Sequence, residues 1–334
     1  MSEKYVKVNP TYTEVSVSEN ACKWTNTRPV KYWEYRKKWN ENPKKQIVEK
    51  FPLNLDIEVT RVCNLRCPMC PRTLKIEKGE KLKEGDMDFK LFKKIIDEGS
   101  ENGLYAIKLS YLGEPLICKD IVKMVKYAKD KGIIDVMFNT NGALLTEKMS
   151  KQLIDAGIDN IFISFDSPFP EKYNKIRIGT KFERVFENVK NLRKIRDEKG
   201  LPSPIIRVSM VVMKENKEEV LDYIKLWKPI VDLIGFSDYV NPQGMDKKER
   251  YAIEIKKREN FVCSQLFQRL FVHFDGKIGL CCVDYDAENN LGNAWKDSIK
   301  DVWLGEKLQK IRKTHIKGKC DEIDLCSKCH LKYV

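Results

Sequence analysis

Apolar runs of strand length recur through the middle of the chain, at 53–59, 104–110, 133–139, 160–165, 205–213 and 230–236. Between them lie stretches whose apolar residues return at helical spacing, at 88–98, 119–131, 146–156, 181–198 and 217–227. In the first of these, Leu91, Ile95 and Ile96 form one stripe at i, i+4 and i+5, the pattern of a helix that buries a single face. Regular alternation of strand and helix predicts parallel strands joined by right-handed crossovers, an α/β fold. From about residue 261 the alternation stops. The pattern divides the chain into an N-terminal extension over 1–50, an alternating body over 51–260 and a separate C-terminal segment or elaboration over 261–334.

The extension is aromatic, with Trp24, Tyr32, Trp33, Tyr35 and Trp39. Tyr32, Tyr35 and Trp39 fall at helical spacing and predict a short helix packed onto the body. The 334 residues, 42% of them apolar, suffice for one large domain and a smaller one. No uninterrupted apolar run reaches about 18 residues, so no membrane span is expected. Residues 1–10 are polar and lack the apolar centre of a secretory signal. Eleven cysteines without an export signal point to a reducing, cytoplasmic setting and to metal ligation. The net charge of +13 comes from 62 basic and 49 acidic residues dispersed in mixed runs, which read as a solvated surface. A phosphorylated or nucleotide-bearing substrate is the alternative that this charge leaves open.

The chemistry starts at Cys63-Asn64-Leu65-Arg66-Cys67-Pro68-Met69-Cys70, a C-x3-C-x2-C loop directly after the first apolar run. Three thiolates on one short loop can hold three irons of a cubic [4Fe–4S] cluster and leave the fourth iron open. A structural zinc site wants four closed ligands, and no fourth Cys or His follows within the loop. A disulfide framework belongs to small secreted chains. The segment closely resembles the signature of radical S-adenosylmethionine (SAM) enzymes. That resemblance implies a partial (β/α)6 barrel whose open iron chelates SAM. It also implies a 5′-deoxyadenosyl radical, released by one-electron reduction of the sulfonium, that abstracts a hydrogen atom.

In a parallel barrel, ligands sit at the C-terminal strand ends, and the remaining family segments fall there. Tyr111-Leu112-Gly113-Glu114-Pro115 resembles the G-G-E segment that meets the methionine amino group, with Leu112 in place of the first glycine. Asn139-Thr140-Asn141-Gly142 and Ser164-Phe165-Asp166-Ser167 follow the next two runs, the latter like the S-x-D segment near the SAM ribose and carboxylate. Tyr173 and Arg177 lie where related enzymes place an arginine near that carboxylate. The run 207–212, with Met210, matches the strand that contributes backbone contacts to adenine. The resemblance thus implies Gly113, Glu114, Asn141, Ser164, Asp166, Arg177 and Met210 as SAM-site residues. Taken singly, these are also ordinary turns and helix caps. Arg207 reads either as an ion-paired barrel residue or as one that faces the substrate.

The C-terminal segment carries Cys263, Cys281, Cys282, Cys320, Cys326 and Cys329. The run 274–279 reads as a β-hairpin that brings Cys263 and Cys281 together at its base. C-x12-G-x4-C followed by C-x2-C resembles the SPASM and shortened twitch extensions that bind auxiliary [4Fe–4S] clusters. It implies one auxiliary cluster on Cys263, Cys281, Cys326 and Cys329, with Cys320 as a competing ligand. The position expected for a further C-x2-C partner before Cys320 is Lys317. A four-cysteine zinc site fits the same spacing. Cys326-Ser327-Lys328-Cys329-His330 also fits a haem attachment motif, whose chemistry occurs outside the cytoplasm. His273 and His315 read as structural.

The single-cluster extension resembles that of aminocyclitol dehydrogenases. It implies oxidation of a sugar, cyclitol or nucleotide-sugar alcohol to a ketone, with the auxiliary cluster as electron acceptor and a flavodoxin- or ferredoxin-type reductant. An epimerase is the neighbouring reading. It needs a hydrogen donor, for which Cys118 and Cys282 are the spare thiols, although burial as small apolar residues would equally account for both. A SPASM-type peptide- or protein-modifying enzyme is a further reading; the extension is too short for a leader-binding winged helix of about 80 residues. No RRM, KH or C2H2 pattern is present, so nucleic acid is not an expected partner.

Overall fold

The computed structural model describes residues 4–9, 12–251 and 257–333. Its strands are β1 Lys4–Asn9, β2 Tyr12–Ser16, β3 Asn54–Ile57, β4 Ala106–Lys108, β5 Asp135–Thr140, β6 Asn160–Ser164, β7 Ile205–Val212, β8 Leu233–Asp238, β9 Arg269–Val272, β10 Lys277–Gly279 and β11 Gly292–Asn293. Among the described residues they form one open sheet in the order β1-β2-β8-β7-β6-β5-β4-β3-β9-β10-β11. Strands β3 to β8 pair in parallel, each with its successor. This is the partial barrel expected from the six apolar runs.

Strand β7 shows how the sequence sets the two faces. Ile206, Val208 and Met210 are fully buried in the apolar layer, whereas Arg207 and Ser209 between them are half-buried. Successive side chains point to opposite faces, so one face meets the outer helices and the other lines the barrel. The helix Phe89–Glu101 buries Leu91, Phe92, Ile95 and Ile96 and is capped by Asp88, which accepts from the Lys90 amide. No helix among the described residues is long and apolar enough to cross a membrane.

The aromatic extension seals one end. Trp24, Tyr32 and Tyr35 cluster with Leu53, Ala106 and Ile205 at the starts of β3, β4 and β7. The helices Glu19–Thr27 and Val30–Lys45 therefore close the end opposite the strand termini that carry ligands. Tyr35 stacks on Tyr105 at 5.7 Å.

Two features differ from the pattern-based reading. Strand β2 of the extension pairs antiparallel with β8. The run 12–16 has one buried apolar residue, Val15, and otherwise polar or half-buried side chains, so it carries no clear alternation. Gly235 permits this approach, because a Cβ there would lie 2.9 Å from the Tyr12 ring. The C-terminal segment also joins the body's sheet, since β9 lies parallel to β3 before turning back antiparallel into β10.

Candidate active site

The loop that carries Cys63, Cys67 and Cys70 leaves β3 and ends in the helix Pro71–Glu77, with Cys70 at its N-cap and Pro71 pre-set in the first turn. Leu65 is buried and pins the loop, and its amide points at Cys63 Sγ at 3.5 Å. The Cys70 amide donates to the Cys67 carbonyl at 3.0 Å. Burial pushes the Cys70 thiol up to about 11, opposed by the Arg72 and Thr73 amides. Cys63 and Cys67 are likewise raised, chiefly by burial, and all three thiols are electrostatically coupled through Cys67. Thiols of this kind stay protonated until iron displaces the protons.

The neighbouring strand ends close around the loop. The Glu114 amide donates to the Val62 carbonyl at 2.8 Å. At Gly113 a Cβ would run into the Thr60 carbonyl and lie 2.8 Å from that of Val62. Only glycine fits there, and Gly113→Ala should cost about 3 kcal/mol, the upper end for overpacking. Denaturant unfolding checks this, and an unchanged midpoint would refute it. Asn141 Nδ2 donates to Asn64 Oδ1 at 2.8 Å, which ties β5 to the cysteine loop.

Glu114 is buried and accepts from the Asn141 amide at 2.7 Å, from Thr140 Oγ1 at 2.6 Å and from the Leu116 amide at 3.2 Å. Burial outweighs these bonds and pushes its carboxyl up to about 7. The carboxylate that would receive a ligand ammonium therefore forms only as pH rises through about 7. SAM affinity should weaken by up to about tenfold per pH unit below that point. Equilibrium binding across pH 6–8, in wild type and Glu114→Gln, reads this out. A profile unchanged by the substitution would remove Glu114 from the site.

Asp166 is fully buried at the end of β6. Its Oδ1 accepts from the Val211 amide at 2.9 Å, and its Oδ2 lies 2.6 Å from Arg177 Nε. Burial disfavours the Arg177 charge, but Asp166 and Cys67 more than offset this; Arg177 Nη1 lies 3.7 Å from Cys67 Sγ. The pair thus binds the ends of β6 and β7 to the cysteine loop. Ser164 is half-buried opposite Ser209. The Met210 side chain is fully buried, which leaves only its backbone for a ligand.

Between the cysteine loop and the aromatic plug, the barrel interior is charged. Arg207 donates to Glu14 at 3.0 Å and lies 3.5 Å over the Phe162 ring, and Tyr12 donates to the same carboxylate at 3.0 Å. Arg207 is therefore an ion-paired barrel residue at the chamber wall. Asp56, Lys108 and Arg269 form a second group on β3, β4 and β9. The two spare cysteines part company. Cys118 is 2% exposed in the apolar layer. Its chain turns there from the Pro115–Ile117 turn into the helix Ile121–Asp130, and burial pushes its thiol up to about 11. Cys282 is half-buried, accepts from Gln265 Nε2 at 3.0 Å, and is electrostatically coupled to Lys108 and Arg269.

Cys263, Cys281, Cys326 and Cys329 line one cavity with Leu266, Leu280, Leu325 and His315. Cys320 is buried but does not line it. Burial pushes Cys263 up to about 11 and Cys326 and Cys329 up to about 12, with the neighbouring thiols adding to each shift. His315 Nε2 is 3.4 Å from Cys326 Sγ, and its charge is disfavoured by burial. Four thiols lining one apolar cavity, with His315 at its wall, are the donor set that a single protein-ligated [4Fe–4S] cluster needs.

Tyr285 is buried just after Cys281 and Cys282, and burial pushes its phenol well above the usual range. Its ring lies 6.4 Å from that of Tyr111, which packs edge-on against His273 at 5.4 Å. Arg61 reaches both Glu58 at 2.9 Å and His273 Nδ1 at 2.6 Å, which joins β3 to the β9–β10 hairpin. Sequence reasoning missed Glu14, Asp56, Lys108 and Arg269. A charged residue inside an apolar run, as at Asp56, Lys108, Arg207 and Arg269, is the signal that marks inward positions.

A model of the radical SAM superfamily matches residues 57–226, and one of an iron–sulfur cluster-binding domain, SPASM, matches residues 263–330. The tungsten-containing aldehyde ferredoxin oxidoreductase cofactor-modifying protein of Pyrococcus furiosus is 36% identical over 168 residues, 50% of this chain and 45% of that protein. A probable GTP 3′,8-cyclase of Methanococcus maripaludis is 32% identical over 219 residues, 65% of this chain and 69% of that protein. The first of these matches thus spans less than half of the relative's length. Among solved structures, BtrN in complex with AdoMet and 2-DOIA aligns with a TM-score of 0.57 at 21% identity, covering 85% of this chain and 94% of that one. SuiB of Streptococcus suis bound to S-adenosylmethionine aligns at 0.63 and 16% identity, covering 86% and 74%. At such identities the likeness establishes the fold.

Proposed function

The chain belongs to the radical SAM superfamily, and we propose that it oxidises a hydroxyl-bearing carbon of a sugar or aminocyclitol to a ketone. Its family and its SPASM domain imply SAM and [4Fe–4S] clusters as cofactors. When bound, these supply the electron and the 5′-deoxyadenosyl radical that removes one hydrogen atom. The observation that carries the reading is the group of inward charges on β3, β4, β7 and β9, in a chain that has a three-thiol loop after β3 and a four-thiol cavity in its C-terminal segment.

The chain's own residues divide the work. Cys63, Cys67 and Cys70 would hold the cluster that binds and cleaves SAM. Glu114 receives the SAM ammonium, and Arg177, held by Asp166, meets the carboxylate. Glu14, Asp56 and Arg207 orient the hydroxyls of a polar substrate, which suits a polyol better than an apolar peptide segment. In the net step the C–H hydrogen leaves as an atom. The hydroxyl proton leaves to a base, and Cys263, Cys281, Cys326 and Cys329 would hold a cluster able to take up the remaining electron. A ketone results.

In this reading residues 51–260 form the catalytic barrel, 1–50 its plug and 261–334 the electron-accepting unit, in a cytoplasmic enzyme served by a flavodoxin- or ferredoxin-type donor. A carbohydrate epimerase is favoured by one observation, the half-buried Cys282 thiol next to Cys281, which accepts from Gln265 Nε2 at 3.0 Å and suits a hydrogen donor. Anaerobic reconstitution with SAM and dithionite, scoring 5′-deoxyadenosine and ketone against sugars and cyclitols, tests the reading. Deuterium uptake from heavy water without ketone, lost in Cys282→Ala, would identify the epimerase instead. No 5′-deoxyadenosine with any polyol would overturn both.

A further inference from the structure

We propose that the floor of the barrel binds one anionic group of the substrate, a phosphate or a carboxylate, between Lys108 and Arg269. This rests on the chamber being the substrate site, but not on which reaction follows. Asp56 on β3 stands directly opposite Lys108 on β4, and Asn54 opposite Arg269 on β9. Positions two apart on a strand share a face, so all four side chains lie on one inner layer.

Asp56 is 2% exposed and already engaged. Its Oδ2 accepts from Arg269 Nη1 and from Asn54 Nδ2, both at 3.2 Å. Lys108 Nζ stands 3.9 Å from Oδ1, beyond hydrogen-bond reach, and 29% of its side chain opens to the chamber. Higher on the wall, Arg207 is answered by Glu14 at 3.0 Å. Among the described residues, Lys108, Arg207 and Arg269 thus face Asp56 and Glu14 above an aromatic plug, while Asp135, opposite Ala106 on the same inner face, lies lower at the plug and accepts from Asn160 Nδ2 at 2.6 Å. The Arg269 and Arg207 Nε groups are buried without a partner.

A buried cation without an equal anion is costly. The charge on Lys108 is disfavoured first by burial and then by repulsion from Arg269 and Arg207, against the attraction of Asp56 and Cys282. Arg269 also faces Cys263 and Cys282, so part of its field serves the auxiliary thiols. Among the described residues Lys108 has no hydrogen-bonded partner, its nearest carboxylate oxygen being Asp56 Oδ1 at 3.9 Å. An oxyanion placed between the two would accept from the Lys108 ammonium and the Arg269 guanidinium in charge-assisted bonds. A neutral polyol would leave the surplus charge standing.

The test uses the full chain with both clusters and SAM bound. Inorganic phosphate, and succinate in a parallel arm, are titrated by calorimetry at low salt. Saturable binding of one or both is expected, weakened about tenfold or more in Lys108→Met and largely kept in Lys108→Arg. The tighter of the two arms identifies the oxyanion. Unchanged SAM affinity in Lys108→Met shows that the barrel is intact, and Lys108→Gln serves if the Met variant does not fold. Absence of saturable binding, or equal affinity in the Lys108 variants, overturns the proposal. Ketone formation from a neutral polyol that ignores Lys108 would sink the subsite and leave the oxidation standing. Phosphate binding without ketone from any polyol would do the reverse.

Discussion

Alanine at Cys63, Cys67 and Cys70 together should abolish 5′-deoxyadenosine formation, a loss on the order of 10⁶-fold or more, since nothing else on the chain supplies that chemistry. Iron should fall from about eight to about four per chain as one cubane is lost. Each single variant should lose most of the activity as well, because the loop offers no substitute: its remaining side chains are Asn64, Leu65, Arg66, Pro68 and Met69. Asn64 is bonded to Asn141 and Leu65 is buried. The outcome separates ligation from folding, because the loop is also fastened by contacts that use no thiol. These include Glu114 N to Val62 O and Arg66 N to the Ile178 carbonyl at 2.9 Å. Cys118→Ala is the matched control, a thiol of the apolar layer whose loss should leave iron unchanged. Iron near eight and undiminished cleavage in the triple variant would remove the proposed catalyst.

What was legible from sequence followed from where each element buries its side chains. The six parallel strands are covered by helices, so their apolar runs stand out; Ile206, Val208 and Met210 announce β7 on their own. The cysteine loop is equally plain, because three thiols within eight residues are rarely gathered for anything but a metal centre. Strand β2 was not legible, since its side chains face a polar chamber and only Val15 joins the core. The chamber was hidden for the same reason. Asp56, Lys108 and Arg269 are single charges on three short strands, and nothing local says that β9 folds back beside β3. Arg207 was noticed, but its partner Glu14 lies 193 positions away. The auxiliary cavity was half legible: the cysteine spacing foretold a cluster, whereas the role of His315 as a lining residue depends on how the helix Glu306–Ile316 packs.

Alanine at both Cys326 and Cys329 should leave SAM cleavage intact and reduce ketone formation roughly 100-fold or more, the pattern expected when one later step is removed. The fold should survive, because the C-terminal segment is held by contacts independent of the thiols. Trp303 is fully buried and donates to the Glu49 carbonyl at 2.8 Å. Arg312 lies 4.1 Å over the Trp303 ring and donates to the carbonyls of Leu266 and Trp303, both at 2.8 Å. Glu98 of the barrel accepts from the Ser298 hydroxyl at 2.8 Å and the Lys300 amide at 2.9 Å. With the acceptor gone, a substrate radical has no oxidative exit and must recover a hydrogen atom. Cleavage would then continue without net oxidation, and deuterium in the solvent would enter the substrate wherever an exchangeable donor such as Cys282 reaches it. Iron near four, together with cleavage uncoupled from ketone, is therefore the joint signature of an electron-accepting auxiliary site. Undiminished ketone formation in a double variant that has lost half its iron would show that the electron leaves by another route.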